Sequence, residues 1–176
     1  RLAGSGNHSV LNNSVHSFGT NDNYGLFVSA GGLNLLSGNV VVANGSADNN
    51  FGIYLTGSGN NSVLNNSIHT NGTSSNYGLY VGSGGLNLLS GNVVVAGGST
   101  TTNYGIILAG SGNNTVSNNT VTSNGTNSNY GLYVFDGGLN LLSGNVVVAG
   151  GSGNFNFGIR LAGSGNHSVL NNSVHS

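Results

Sequence analysis

A unit of 53 residues runs through this chain three times, and residues 1–17, RLAGSGNHSVLNNSVHS, return unchanged at 160–176, an offset of 159 residues. Each unit divides again into two turns, marked by Tyr24, Phe51, Tyr77, Tyr104, Tyr130 and Phe157 at spacings of 27, 26, 27, 26 and 27. Self-similarity at a fixed period of this size is the signature of a solenoid, in which each repeat touches only its neighbours and the structure grows along one axis. The period therefore constrains shape far more than it constrains chemistry.

Within one turn the spacing is that of strands. In 51–76, Ile53 and Leu55 alternate with Gly52 and Tyr54, a period of two. Asn61, Val63, Asn66, Ile68 and Asn71 then follow as N-x-V-x-x-N-x-I-x-x-N, and the turn 77–103 repeats the series as Asn87, Leu89, Asn92 and Val94 with Gly97 in the last slot. Helices are disfavoured, because the 33 glycines recur every few residues and each interior glycine costs about 1 kcal/mol against alanine. Val-Val-Val runs suit a pleated surface instead. Strands this short, joined by corners of two or three residues, predict a chain that coils in one direction. Each turn then lies about 4.8 Å from the last in parallel register. The expected fold is all-β: a right-handed parallel β-helix over 1–176, with three short strands per turn and roughly six and a half turns.

The 33 asparagines acquire a physical role in such a coil. A corner must satisfy backbone groups that the ladder misses, and an inward Asn can bond both the corner and its own copy one turn away. One ladder is expected from Asn13, Asn39, Asn66, Asn92, Asn119, Asn145 and Asn172, and a second from Asn34, Asn61, Asn87, Asn114 and Asn140, with His8 and His167 in its end slots. Asn44, Asn71 and Asn124 stand in the third slot of the pattern, where the long turn opens.

This grammar resembles the parallel β-helix repeats of the NosD-type and pectate-lyase-like families, carried by YGIIL at 104–108 and by NNTV at 113–116 and again at 118–121. The resemblance spans the whole chain. It implies the fold firmly and the function weakly, since such repeats serve lyases, epimerases, adhesins, metal-delivery proteins and surface filaments.

Composition narrows these. Two arginines and no lysine leave nothing to neutralise phosphates, so nucleic acid is not expected as a partner. No apolar run approaches the roughly 20 residues of a membrane span. No cysteine is present, which excludes a disulfide framework. The sequence opens without an initiator methionine or a leader-type segment, and the chain is expected to be an excerpt of a longer array or a processed product.

The β-helix enzymes that the resemblance brings in use Asp clusters with Arg or Lys on the outer face. Here the carboxylates are Asp22, Asp48 and Asp136 alone. Asp22 and Asp48 fall one rung apart in the long turn, with no Arg or Lys nearby, too few groups for acid–base or Ca²⁺-assisted chemistry. His16, His69 and His175 are expected to point outward, and His16 and His69 lie two rungs, about 9.6 Å, apart. One metal with ligands at about 2.1 Å does not bridge them, so no catalytic group, metal or cofactor is expected.

Phe27, Tyr54, Tyr80 and Tyr133, with Ile107 and Arg160 in the same column, are expected to form an exposed stripe, either an interaction surface or simple cross-rung stacking. The marker aromatics Tyr24 to Phe157 are expected to face inward. Candidate N-glycosylation sequons occur at Asn7, Asn12, Asn60, Asn65, Asn71, Asn113, Asn118, Asn124, Asn166 and Asn171, with Asn44 beside them. The function this reading favours is structural: an extracellular fibre or surface stalk whose partner is itself, end to end and laterally, with bound or attached glycans. The alternatives are a carbohydrate-binding, adhesin-type module and a non-catalytic part of a polysaccharide-active enzyme.

Overall fold

In the computed structural model, which describes every residue except Ser5, Ser58 and Ser164 and the side chain of Thr101, the strands form three seven-stranded parallel sheets. The first holds β1 (Leu2–Ala3), β4 (Tyr24–Ser29), β7 (Asn50–Thr56), β10 (Asn76–Gly82), β13 (Thr101–Ala109), β16 (Asn127–Phe135) and β19 (Phe157–Ala162). The second holds the three-residue strands β2 (Ser9–Leu11), β5 (Leu35–Ser37), β8 (Ser62–Leu64), β11 (Leu88–Ser90), β14 (Thr115–Ser117), β17 (Leu141–Ser143) and β20 (Ser168–Leu170). The third holds β3 (Ser14–Gly19), β6 (Val40–Gly45), β9 (Ser67–Gly72), β12 (Val93–Gly98), β15 (Thr120–Gly125), β18 (Val146–Gly151) and β21 (Ser173–His175). The chain visits the sheets in turn and each strand pairs with the strands one rung away. It is the right-handed parallel β-helix expected from the period. The described residues contain no helix long and apolar enough to cross a membrane.

Register is kept to the residue. Leu89 pairs with Val63 on one side and Val116 on the other, and Val94 with Ile68 and Val121. Those residues, with Leu55, Leu79, Val81, Ile106 and Leu108 of the first sheet, form one continuous buried core. Every rung contributes the same few branched side chains, so apolar area is buried rung on rung without any rung having a core of its own.

Amide ladders close the corners. The Oδ1 of Asn92 accepts the backbone N–H of Asn66 at 3.0 Å and its Nδ2 at 3.0 Å. The backbone N–H and Nδ2 of Asn92 in turn donate to Oδ1 of Asn119, both at 2.9 Å, and Nδ2 also donates to the carbonyl of Val63 at 2.8 Å. The side chain is saturated: two bonds to its oxygen, two from its nitrogen. The same pattern links Asn13 through to Asn172. The second ladder runs through Asn34, Asn61, Asn87, Asn114 and Asn140. At its ends the His8 N–H donates to Asn34 Oδ1 at 3.0 Å and His167 Nδ1 accepts the Asn140 N–H at 3.4 Å.

A third ladder lies where the sequence reading did not place it. Asn23, Asn50, Asn76, Asn103, Asn129 and Asn156 join Nδ2 to Oδ1 at 2.8–3.0 Å along the entry to the first sheet. Asn71 and Asn124, in the slot where the long turn opens, are exposed and join no ladder, and Asn44 is half-buried with an Oδ1 lacking a partner among the described residues. The cause is strand alternation: Ala43, Thr70 and Ser123 before them take the inward positions.

Asn92→Leu removes the acceptor for two Asn66 donors and the donors to Asn119 and Val63. Leaving several buried groups unpaired is expected to cost about 3 kcal/mol or more. Ser90→Ala, on the outer face, is expected to change stability by less than about 0.5 kcal/mol. Denaturant unfolding of the two variants checks this; equal losses would contradict the inside–outside assignment.

A double aromatic ladder as the candidate functional site

The first sheet carries the densest side-chain chemistry on the outer surface. Strict alternation from Ile53 and Leu55 puts Phe51 inside with them. The structure places it outside. Asn50, Gly52, Ile53 and Leu55 are buried in the interior; Phe51 is buried as well, but among neighbouring rings, packing edge-on against the outward Tyr54 at 5.0 Å. The alternation breaks at Gly52, which has no paired partner in the otherwise regular ladder of β7 with β10. A Cβ there would meet Ile68 Cγ2 at 2.3 Å and the Gly78 carbonyl at 2.5 Å, so only glycine lets the backbone bend against the core. Gly25, Gly78, Gly105 and Gly131 meet the same obstruction from Val41, Val94, Val121 and Val147. The expectation that the marker aromatics face inward as core is thus corrected: Phe51 and Tyr130 are buried, but none of the six belongs to the aliphatic core cluster, and Tyr24 is exposed.

Two aromatic columns therefore run side by side. In the first, Tyr24, Phe51, Tyr77, Tyr104, Tyr130 and Phe157 stack at centroid spacings of 4.5–5.4 Å with planes 4–11° apart. In the second, the expected stripe, Tyr54 and Tyr80 stack at 4.7 Å and Phe27 meets Tyr54 edge-on at 5.1 Å and 62°. The columns interlock, Tyr77 against Tyr80 at 87°. Packing leaves the stripe half-buried rather than freely exposed, with cross-rung ring contacts in place from Phe27 to Tyr80.

The second column is interrupted once. Ile107 stands between Tyr80 and Tyr133 and is 6% exposed. With no ring there, Tyr133 turns toward the first column, lying 12° from the plane of Tyr104 and 23° from that of Tyr130. An open recess remains, bounded by Tyr80, Tyr104, Ile107, Ala109, Tyr133 and Phe135. Arg160 ends the column: its guanidinium lies 5.2–5.5 Å from the ring centroids of Tyr130, Tyr133 and Phe157, and Nη1 donates to the Tyr130 hydroxyl at 3.1 Å. Arg1 stands over Phe27 in the same way at 5.1 Å.

The remaining candidates stay apart. Asp22 and Asp48 are neighbours through the backbone, the Asp22 N–H donating to the Asp48 carbonyl at 3.3 Å. The Asp48 carboxylate accepts the Ser74 hydroxyl at 3.0 Å. Asp136 is exposed on another corner. His16, His69 and His175 are exposed on the third sheet, and no group of three or more His, Cys, Asp or Glu side chains converges among the described residues. All ten sequon asparagines named above are exposed.

Buried phenols resist ionisation. Desolvation is the main cause that raises the Tyr77, Tyr80 and Tyr104 pKa above the ordinary tyrosine value, and neighbouring phenols add to it. Tyr104 is pushed furthest, Arg160 opposing the shift only weakly.

The model of the family described as "Right handed beta helix region" matches residues 1–147 and 72–176. The chain is also similar in fold to the crystal structure of the periplasmic alginate epimerase AlgG, at 18% identity and TM-score 0.50, over 93% of this chain and 43% of the epimerase. A point mutant of that epimerase gives TM-score 0.57 at 18% identity, over 97% of this chain and 46% of the other. The chain thus spans less than half the length of these structures. No curated protein sequence matches it significantly.

The raised phenol pKa values make a pH prediction. A proton held more tightly in the folded state gives stability that is intact below the unfolded tyrosine value of about 10 and lost as pH climbs through the folded values. Phenolate absorbance of the native chain is expected to rise at higher pH than that of the denatured chain, and the unfolding midpoint to fall steadily above about pH 10. Coincident titrations of the two states would contradict the ladder's burial.

Proposed function

The chain belongs to the right-handed β-helix family, and on that footing we propose that it is a structural element, a length of an extracellular fibre or surface stalk extended by continued stacking of rungs. What supports the reading is the equivalence of the rungs. Three amide ladders, an aromatic column and one core pass through the whole segment in unbroken register. A rod of this kind grows by adding further rungs of the same sequence, and its exposed ladder edges pair with another copy's. The partner is a further length of the same chain, end to end, with lateral contacts through the outer faces. No catalytic role is assigned to the separated carboxylates and histidines.

A second reading rests on the aromatic face. Flat rings flanking a recess floored by Ile107 suit the apolar face of a sugar ring, and the epimerase of similar fold acts on alginate. In this reading the segment is a carbohydrate-binding module, or the non-catalytic part of a polysaccharide-active enzyme. Retarded migration in gels containing alginate or a neutral glucan, lost in Tyr80→Ala and Tyr133→Ala, would favour it.

The fibre reading is tested by electron microscopy and diffraction of native material. Long unbranched fibres are expected, with axial repeats of about 4.8 Å from the rung and about 9.6 Å from the two alternating turns. The 159-residue period of the sequence adds a repeat near 29 Å, six rungs of about 4.8 Å. Discrete particles without these repeats would overturn it.

A further inference from the structure

The outer corners flanking the second sheet alternate in a way that the backbone does not require. One corner column reads Asn7, Leu33, Asn60, Leu86, Asn113, Leu139, Asn166, and the other Asn12, Gly38, Asn65, Gly91, Asn118, Gly144, Asn171. Asn7, Asn12, Asn60, Asn65, Asn113, Asn118 and Asn171 have φ of 52–64°, a conformation Asn tolerates. If that were the whole reason for Asn, the residue two positions on would vary freely. It does not. Wherever Asn holds the corner, the outward residue two on carries a hydroxyl: Ser9, Ser62, Thr115 and Ser168 in one column, Ser14, Ser67, Thr120 and Ser173 in the other. Wherever Leu or Gly holds it, the hydroxyl is gone as well: Leu35, Leu88, Leu141 and Val40, Val93, Val146. Asn and hydroxyl come and go together, as a single acceptor motif does.

A third column supplies the contrast. At the end of the third sheet the slot holds Phe18, Asn44, Asn71, Gly97, Asn124 and Gly150, while a hydroxyl follows two residues on in every rung: Thr20, Ser46, Thr73, Ser99, Thr126 and Ser152. In the Asn71 and Asn124 rungs that hydroxyl has structural work of its own. Thr73 Oγ1 donates to the Ser46 carbonyl and Thr126 Oγ1 to the Ser99 carbonyl, both at 2.9 Å.

We infer that the two corner columns are N-glycosylation sites, so that sugars project on every second rung from both edges of the second sheet. The eight acceptors are exposed. In the transfer, Asn Nδ2 forms a bond to the anomeric carbon of a lipid-pyrophosphate-linked sugar. The bond from that carbon to the pyrophosphate oxygen breaks, the amide gives up one proton, and the lipid pyrophosphate leaves. Acceptors on alternate rungs stand about 9.6 Å apart along the axis rather than about 4.8 Å, which spaces neighbouring sugars. The intervening rungs put Leu33, Leu86 and Leu139 in the same left-handed conformation, φ 58–59°, and leave them 61–63% exposed. Each has an acceptor one rung away on both sides, so sugars attached there cover an apolar row that water otherwise meets.

The test is peptide mapping by mass spectrometry on the native chain from its own cells, after digestion at Tyr, Phe and Leu. Sugar mass is expected on Asn60, Asn65, Asn113 and Asn118, with Asn71 and Asn124 unmodified. Ser67→Val, expressed in the same cells, should remove the added mass at Asn65 and leave it at Asn118; Asn65→Gly, which keeps the corner conformation, should do the same if the first variant folds poorly. Bare Asn60, Asn65, Asn113 and Asn118, or equal modification of Asn71 and Asn124, would overturn the inference while leaving the fibre reading to its own repeat measurement.

Discussion

The fold depends on an amide that bonds to its own copy. A backbone ladder between parallel strands tolerates any residue, but at a corner the backbone turns away and its polar groups are stranded. Asn answers this because its side chain holds one acceptor oxygen and two donors on a short stem. Asn66, Asn92 and Asn119 spend all of these on one neighbour above, one below and one corner carbonyl. The arrangement works only if the next rung presents the same atom at the ladder spacing. That requirement makes the rungs uniform: an insertion between two ladders would break the amide contact on both sides of it. The 26- and 27-residue spacings of the hydrogen-bonded pairs are the outcome.

Once the inside is fixed by amides and branched side chains, variation moves outside. There the two turn types differ most. One offers hydroxyls, histidines and corner asparagines; the other offers Leu35, Val40, Leu88 and Val93 in the same places. The first sheet differs again, covered by aromatic rings that are too large for the interior and gain contact by stacking along the axis. The rod thus has three faces of different chemistry on one repeated core.

Much of this was legible in the chain because a solenoid writes its contacts as a period. The Asn92 ladder and the Leu89 core position follow from spacing alone, since residues one period apart must touch. What was not legible arose where a strand departs from strict alternation. Phe51 was assigned inward by counting from Ile53, and the bend at Gly52 reverses it. The Asn23–Asn156 ladder escaped for a related reason: an Asn precedes every marker aromatic in the sequence, a signal as regular as the others. With the aromatic taken as inward, however, its neighbour had to point out. The recess at Ile107 was beyond sequence reasoning, because it depends on how far Tyr133 turns when a ring is missing beside it.

The most direct measurement of the central claim is side-chain amide exchange. In the ladder account the Nδ2 protons of Asn66, Asn92 and Asn119 exchange with solvent only when rungs separate, so their NMR signals should persist in heavy water as long as the backbone amides of the core strands do. Those of exposed Asn65 and Asn118 should vanish at once. Equal and rapid loss of both groups would show that the corners are not held by stacked amides.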